Sequence, residues 1–398
     1  MPTVLQGKSL VLGVTGSIAC FKAADLSSKL VQHGAQVDVV LTREAARFIT
    51  PLTFQALTHR PVLTDLFDPM SEVAMDHVAL ALRAALIVVC PATAHTMARL
   101  SLGLADDVLT TTVLASPAPL VIVPTMDAHM YAHPTVGEHV ERLRGRGAHF
   151  VGPVEGRMAS GLTGRGRMAE VPEILGHLRW VLGRTTGDLR GRTVVVTAGG
   201  TREPIDPVRV VTNRSSGKMG YALAEAARDR GARTTLVSAP TALPDPVGVD
   251  VIRVATALQM HEVVLQATRG ADALIMAAAV SDYRPTTVAP QKVKKGPAAV
   301  VVEMSSNPDI LAAVDGRVIK VGFAAETEHL LANAREKLRA KGLHLIVAND
   351  VSAPDSGFET DDDRVVLLDG KSEPEELPLL PKFEVAQRIL DRVVALLA

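Results

Sequence analysis

Cysteine is nearly absent from this sequence: Cys20 and Cys90 are the only two in 398 residues, each in an apolar stretch and neither with metal-ligand or redox-pair spacing. That excludes a disulfide-stapled framework and a multi-cysteine metal centre, and it fits a reducing compartment. Long apolar runs are missing as well. No stretch reaches the ~18 apolar residues of a membrane span. The opening MPTVLQGKSLVLGV lacks the basic region, apolar core and cleavage site of a secretory leader, so a cytoplasmic protein without a membrane partner is expected. Nor is one sign of charge in excess, since 42 Lys and Arg stand against 43 Asp and Glu. The densest basic cluster, Lys292 to Lys295, is too local to track a nucleic acid and suits one phosphorylated ligand.

What is present is a globular composition, 47% hydrophobic and 21% charged, in a chain too long for one core. At ~100–200 residues per domain the prior is two. Short β-branched runs alternate with amphipathic stretches throughout, the pattern of parallel sheets covered by helices. In the first half strands are expected near 9–14, 36–41, 85–90, 120–123 and 148–151, with helices near 19–33, 93–115 and 135–146. Residues 152–168, GPVEGRMASGLTGRGRM, are rich in glycine, have no apolar period and read as a lid-like loop. A helix near 171–183 runs into GRTTGDLRGRT, and a fresh strand, TVVVT, starts at 193. The expected architecture is α/β with two Rossmann-like domains, 1–186 and 187–398. Both halves open alike, with GKSLVL and GRTVVV each leading to a Gly-containing turn.

In the first half, Val14-Thr15-Gly16-Ser17-Ile18 joins a strand to a helix and offers amides and a hydroxyl to a phosphate. Taken alone, such a turn is as readily simple turn chemistry. No third glycine follows and no ribose-binding acid ends strand two, which closes with Val40-Leu41-Thr42, so a mononucleotide is favoured over a dinucleotide. Thr42, expected to begin a second helix, and Pro91-Ala92-Thr93 would converge with this turn at the sheet's C-terminal edge.

GVTGSIAC, PATAHTMARLSLGLADDVLTT, PTMDAHMY and RMASGLTGRGRMAE occur in the order found in the flavin-containing cysteine decarboxylases, and residues 1–183 resemble that family, in particular phosphopantothenoylcysteine decarboxylase. The resemblance implies FMN held by Gly16, Ser17, Thr42, Pro91, Ala92 and Thr93, and His77 as the base acting on a substrate cysteine. One histidine of 12 beside an apolar run is otherwise a surface or core residue by default. Imidazole suits the role because it moves protons near neutrality. Substrate contacts are implied for Asp127 and Met130, and proton donation for Ser160. Two residues depart from the family pattern. Asp127 stands where the family has a carboxylate-binding asparagine, and would repel that carboxylate unless protonated or turned away. Ser160 stands where the family has a cysteine, a stronger acid than an alcohol.

In the second half, TAGGTREPIDPVR and TNRSSGKMG flank a helix start able to cradle phosphate, without Walker spacing. With MAAAVSDYRP, QKVKK, NPDIL, VGFAAET and LIVANDVS they make residues 190–398 resemble phosphopantothenate–cysteine ligase. That resemblance implies a CTP-dependent reaction with Mg2+ on the triphosphate, joining 4'-phosphopantothenate to cysteine through an acyl-cytidylate. Asn213 would hold the intermediate, though in isolation it reads as a helix N-cap. Asp282 would bind nucleotide, Lys292 would be the catalytic lysine of a mobile loop, and Phe323 would lie near the base. Lys337 and Lys341, at i and i+4, would reach phosphates from one helix face. The family also implies a homo-oligomer, with decarboxylase trimers, ligase dimers and flavin shared between neighbours. An alternative is an active ligase fused to a flavin domain with impaired decarboxylation that serves assembly or regulation. A third, a nicotinamide-dinucleotide enzyme, rests only on the tandem Gly turns.

Overall fold

The computed structural model describes residues 4–66, 76–295, 300–326, 329–350 and 360–398. They form two compact units, Pro2–Leu182 and Gly183–Ala398. The expected division after 186 falls at the end of a helix, Val171–Thr186, that begins in the first unit.

The first unit is built on β1 (Ser9–Val14), β2 (Gln36–Leu41), β3 (Val62–Leu63), β4 (Leu86–Ala92), β5 (Leu120–Pro124) and β6 (His149–Phe150). All pair in parallel, in the order 3-2-1-4-5-6. Buried on both faces, the central strands read as largely apolar runs, with Asp38 of β2 the buried charge, paired by Arg60 and Arg83. Helix α1 (Cys20–Gln32) buries Cys20, Ala23, Leu26, Ser27 and Leu30, a stripe at helical spacing against one face. Then come α2 (Pro51–Thr58), α3 (Asp76–Arg83), α4 (Ala94–Leu102) and α5 (Val108–Ala115). The single helix expected over 93–115 is therefore two. Gly103, at φ +75°, ends α4, and Asp107 caps α5 by accepting from the Thr110 amide at 2.7 Å. Thr42 starts no α-helix; its hydroxyl accepts from the Ala45 amide at 3.3 Å, leading into one 3-10 turn, Ala45–Arg47.

After β5 come α6 (Ala128–Tyr131) and α7 (Pro134–Gly145). The expected loop over 152–168 contains an antiparallel hairpin, β7 (Val154–Arg157) and β8 (Thr163–Arg167). Helix α8 (Val171–Thr186) follows.

The second unit begins with β9 (Thr193–Ala198), the ribbon β10 (Arg202–Pro204) and β11 (Val210–Thr212), and α9 (Lys218–Asp229). It continues through β12 (Arg233–Ser238), β13 (Asp250–Arg253), α10 (Ala257–Ala267), β14 (Ala273–Met276), β15 (Tyr283–Pro285), β16 (Met304–Ser306) and α11 (Ile310–Ala313). The remaining elements are β17 (Ile319–Glu326), α12 (Leu330–Ala340), β18 (Leu345–Asp350), β19 (Asp362–Asp363), β20 (Val365–Leu368), β21 (Glu375–Glu376), β22 (Leu380–Pro381) and α13 (Lys382–Leu397). Its main sheet runs β13-β12-β9-β14-β17-β18-β20-β21, parallel as far as β18 and antiparallel beyond it. Helix α9 lies close on β9 because Gly220 carries no side chain; a Cβ there would sit 2.5 Å from Ala198 Cβ. Among the described residues, no helix is long and apolar enough to cross a membrane.

Candidate functional site

In an open parallel sheet, ligands bind beyond the carboxyl ends of the strands where the strand order reverses. In the first unit that point lies between β1 and β4, and the turns after β1, β2 and β4 singled out from sequence meet there. The Thr15 hydroxyl donates to the Pro91 carbonyl at 2.7 Å and accepts from the Thr93 amide at 3.1 Å, tying the two turns together. Thr93 caps α4 through the Thr96 amide. Ser17 Oγ accepts from the Ala19 amide at 3.2 Å just ahead of α1, and Gly16 and Ser17 stay half-buried at the mouth. Gly16 must be glycine, since a Cβ would lie 2.5 Å from Glu44 Cβ. Pro91 and Ala92 are buried at the end of β4, and Thr42 is buried after β2. His77, half-buried, is the second residue of α3.

The two departures from the family pattern, 33 residues apart, are bonded to each other. Ser160 Oγ donates to Asp127 Oδ2 at 2.6 Å, and the His129 amide donates to Oδ1 at 3.1 Å. These bonds, the serine's first, hold the Asp127 carboxyl below the usual aspartate range, so it is ionised and engaged rather than protonated. The hairpin is also fixed on α6 by the Met126 amide donating to the Gly166 carbonyl at 3.0 Å, and by Arg165 lying over the Tyr131 ring at 5.5 Å. Met130 is 49% exposed on α6, outside the core. A carboxyl that titrates lower when folded stabilises the contact fully above the ordinary aspartate range. That contribution is lost as pH falls through the depressed value. Ser160→Ala is expected to speed hydrogen exchange of the 157–162 amides severalfold near neutral pH, with β1 unaffected; unchanged exchange would mean the bond does not hold the hairpin tip.

In the second unit, a cavity of about 630 Å³ is lined by Thr212–Gly220, Ala277–Val280, Asp282, Phe323, Ala324, Lys337, Asn349, Asp363 and Lys382. A smaller one, about 300 Å³, shares Ala278, Val280, Asp282, Phe323 and Lys337 and adds Asn307–Leu311 and Lys341. Asn213, Asp282, Phe323 and Lys337 therefore surround one continuous space. Asn213 is not an N-cap; Gly217 holds that place in a left-handed conformation, and Asn213 Nδ2 donates to the Val280 carbonyl at 3.2 Å. Asp282 is fixed in its turn: its carbonyl accepts from the Asn307 amide, and Asn307 Nδ2 reaches the Ser281 carbonyl, both at 2.8 Å. Lys337 donates to the Phe323 carbonyl at 2.8 Å. Lys341 lies one residue past α12 and pairs with Asp309 at 3.0 Å. Burial works to raise the Asp309 pKa, but Lys341 and the Ala312 amide more than offset it, leaving the carboxyl below its ordinary value.

Lys292 is exposed and lines neither cavity. Its neighbour Val293 is clamped, its amide to Asp206 Oδ2 at 3.1 Å and its carbonyl to Arg209 Nη2 at 2.9 Å. Arg209 and backbone amides hold the Asp206 carboxyl well below the usual range. Asn349, Asp363 and Lys382 were not singled out from sequence. They resemble a strand-end amide, a turn acid and a helix-start lysine; Asn349 lies on β18, and only the chain after β18 brings Asp363 and Lys382 to the cavity.

The family model described as Flavoprotein matches residues 2–182, and that of the DNA/pantothenate metabolism flavoprotein C-terminal domain matches 189–397. The Coenzyme A biosynthesis bifunctional protein CoaBC of Vibrio cholerae is 45% identical over 392 residues, covering 97% of this chain and 98% of its own length. The protein of that name from Bacillus subtilis is 45% identical over 399 residues, with 99% and 98% covered. A solved C-terminal domain of a Coenzyme A biosynthesis bifunctional protein is 41% identical and covers 53% of this chain and 98% of that chain, at a TM-score of 0.46.

Proposed function

We propose a residue-level division of labour, starting from the fact that this chain belongs to the coenzyme A biosynthesis bifunctional proteins. It is a phosphopantothenoylcysteine decarboxylase and phosphopantothenate–cysteine ligase, its flavoprotein domain first. Full-length matching to bifunctional relatives favours this over a flavin domain serving only assembly.

The observation that carries the ligase assignment is the joined cavity around Asn213, Asp282, Phe323 and Lys337. The 4'-phosphopantothenate carboxylate attacks the α-phosphorus of CTP. A carboxyl–phosphorus bond forms, pyrophosphate leaves, and an acyl-cytidylate remains. Cysteine's amine then attacks the acyl carbon, and CMP leaves as the amide forms with loss of the ammonium's protons. Arg214, Ser215, Ser216 and the amides opening α9 face the triphosphate, where negative charge grows in the transition state. Asn213 orients the acyl group, and Phe323 and Lys337 border the nucleotide. Among the described residues no three His, Cys, Asp or Glu side chains converge as a metal site. Mg2+ is proposed to enter on the triphosphate, with Asp282 nearby. Asp206→Ala, which frees Val293, is expected to slow pyrophosphate release about tenfold by loosening the Lys292 segment. Carbon dioxide release from added phosphopantothenoylcysteine should not change, and equal loss of both activities would reject that role.

In the first unit, a narrow glycine approach and hydroxyls at the mouth, just ahead of α1, fit the phosphate of FMN, with Gly16, Ser17, Thr42 and the Pro91–Thr93 turn around it. FMN held there would supply a two-electron acceptor for the carbon bearing sulfur, easing loss of carbon dioxide, and would give the hydride back to the resulting ene-thiol so that 4'-phosphopantetheine leaves with the flavin reoxidised. His77 accepts the thiol proton, and the hairpin bearing Ser160 covers the site. Ile18, Phe21, Phe48 and Leu52, each more than half exposed on α1, α2 and the turns beside them, offer an apolar face. This supports self-association through the flavoprotein unit; trimeric decarboxylase units, dimeric ligase units and a cytoplasmic location are proposed with it from the family resemblance.

The test is to incubate the protein with 4'-phosphopantothenate, cysteine, Mg2+ and CTP, following pyrophosphate, carbon dioxide and product mass. Pyrophosphate with 4'-phosphopantetheine is expected. Absence of pyrophosphate would reject the ligase assignment, and accumulation of phosphopantothenoylcysteine would reject a competent decarboxylase.

A further inference from the structure

The ligase reading places residues around the nucleotide and the acyl group but none around the amino acid. The larger cavity has a wall still without a role. It is made by Lys218, which opens α9, Asn349 on β18, Asp363 on β19 and Lys382, which opens α13. Asp363 is 4% exposed and Lys382 5%, so two opposite charges are buried at the edge of a solvent-filled space. Burying charge is costly, and each is held by a fitted neutral group: Asn349 Nδ2 donates to Asp363 Oδ1 at 2.7 Å, and Lys382 Nζ donates to the Thr360 carbonyl at 2.6 Å. Lys218 Nζ reaches Asp361 Oδ1 at 2.7 Å. The wall thus presents carboxylates and ammonium groups side by side.

We propose that Lys218, Asn349, Asp363 and Lys382 form the subsite for the α-amino-acid substrate, its ammonium directed to Asp363 and its carboxylate to Lys218 and Lys382. This rests on the ligase reading above. A phosphate dianion at this wall would face Asp363, whereas a zwitterion meets the opposite charge at each end. Arg214, Ser215, Ser216 and the α9 amides already provide a site for polyphosphate, so the mixed wall is left for a ligand of mixed charge. Burial pulls Lys382 below the usual lysine range, and Asp363 opposes that pull, favouring the charged form that a substrate carboxylate would meet.

The experiment compares the full chain with Asp363→Asn and Lys218→Gln, with thermal melts to establish folding. Pyrophosphate is first measured with phosphopantothenate, CTP and Mg2+ but no amine, and then cysteine, or cysteamine, which lacks the carboxylate, is titrated in. For Asp363→Asn the pyrophosphate burst is expected to persist while KM for cysteine rises about ten- to a hundredfold. For Lys218→Gln the preference for cysteine over cysteamine should narrow about tenfold. Should Asp363→Asn fail to fold, the partly exposed Lys218 decides alone. An unchanged KM for cysteine with a reduced burst would assign the wall to nucleotide or acyl phosphate and overturn the proposal. No burst from the unaltered chain would instead defeat the ligase reading beneath it.

Discussion

His77→Ala is expected to slow carbon dioxide release from phosphopantothenoylcysteine by about 10²- to 10⁴-fold, the usual worth of a positioned general base, with pyrophosphate release from the same preparation unchanged. The expectation follows from the family resemblance, which gives the second residue of α3 the role of base at the site formed by the Thr15 and Thr93 turns. A histidine of merely structural use near a helix start would change stability by a fraction of a kcal/mol and leave the rate almost untouched. The visible flavin spectrum provides the control, because an empty site would lose colour as well as rate. A variant that keeps its colour and decarboxylates within threefold of the parent would remove His77 from the chemistry.

The strands Ser9–Val14 and Gln36–Leu41 lie where the sequence places them because a central parallel strand is buried on both faces and leaves a largely apolar run, broken in the second strand by Asp38, which Arg60 and Arg83 pair. The hairpin Val154–Arg157/Thr163–Arg167 leaves no such trace. Its glycines and arginines are mostly outside the core, so only cross-strand bonding defines it. The break between α4 and α5 was written locally, in a glycine followed four residues on by a capping aspartate, yet the apolar pattern ran across it. In the second unit, motifs pointed to Asn213, Asp282, Phe323 and Lys337 because each sits in a stretch of unusual composition after a strand. Asp363 and Lys382 carry no such mark. Likewise the Asp127–Ser160 bond was invisible, since each residue looked like an isolated defect until the hairpin folded back on α6.

Asp229→Ala is expected to destabilise the ligase unit by about 3–5 kcal/mol, the usual cost of orphaning one member of a buried ion pair. Arg228 and Asp229 end α9 in a run, AARDRG, that reads as an exposed charged helix terminus, yet each is 1% exposed. The reason is packing, for α9 lies between the sheet and α13. Arg228 Nε and Nη2 donate to Asp229 Oδ1 at 2.9 and 2.6 Å, and Nη1 donates to the Val247 carbonyl at 2.6 Å. Without Asp229 the guanidinium keeps one neutral acceptor in a space closed to water. At about 2–4 °C per kcal/mol for a unit of this size, thermal loss of pyrophosphate-releasing activity should move down by about 6–20 °C. Asp229→Asn, which retains an acceptor oxygen, should cost less. Replacing both residues, Arg228→Met with Asp229→Ala, should recover much of the loss, because the double change removes the stranded charge as well as its partner. A single variant melting within a degree of the parent, or a double variant no better than the single, would show that the pair carries no such weight.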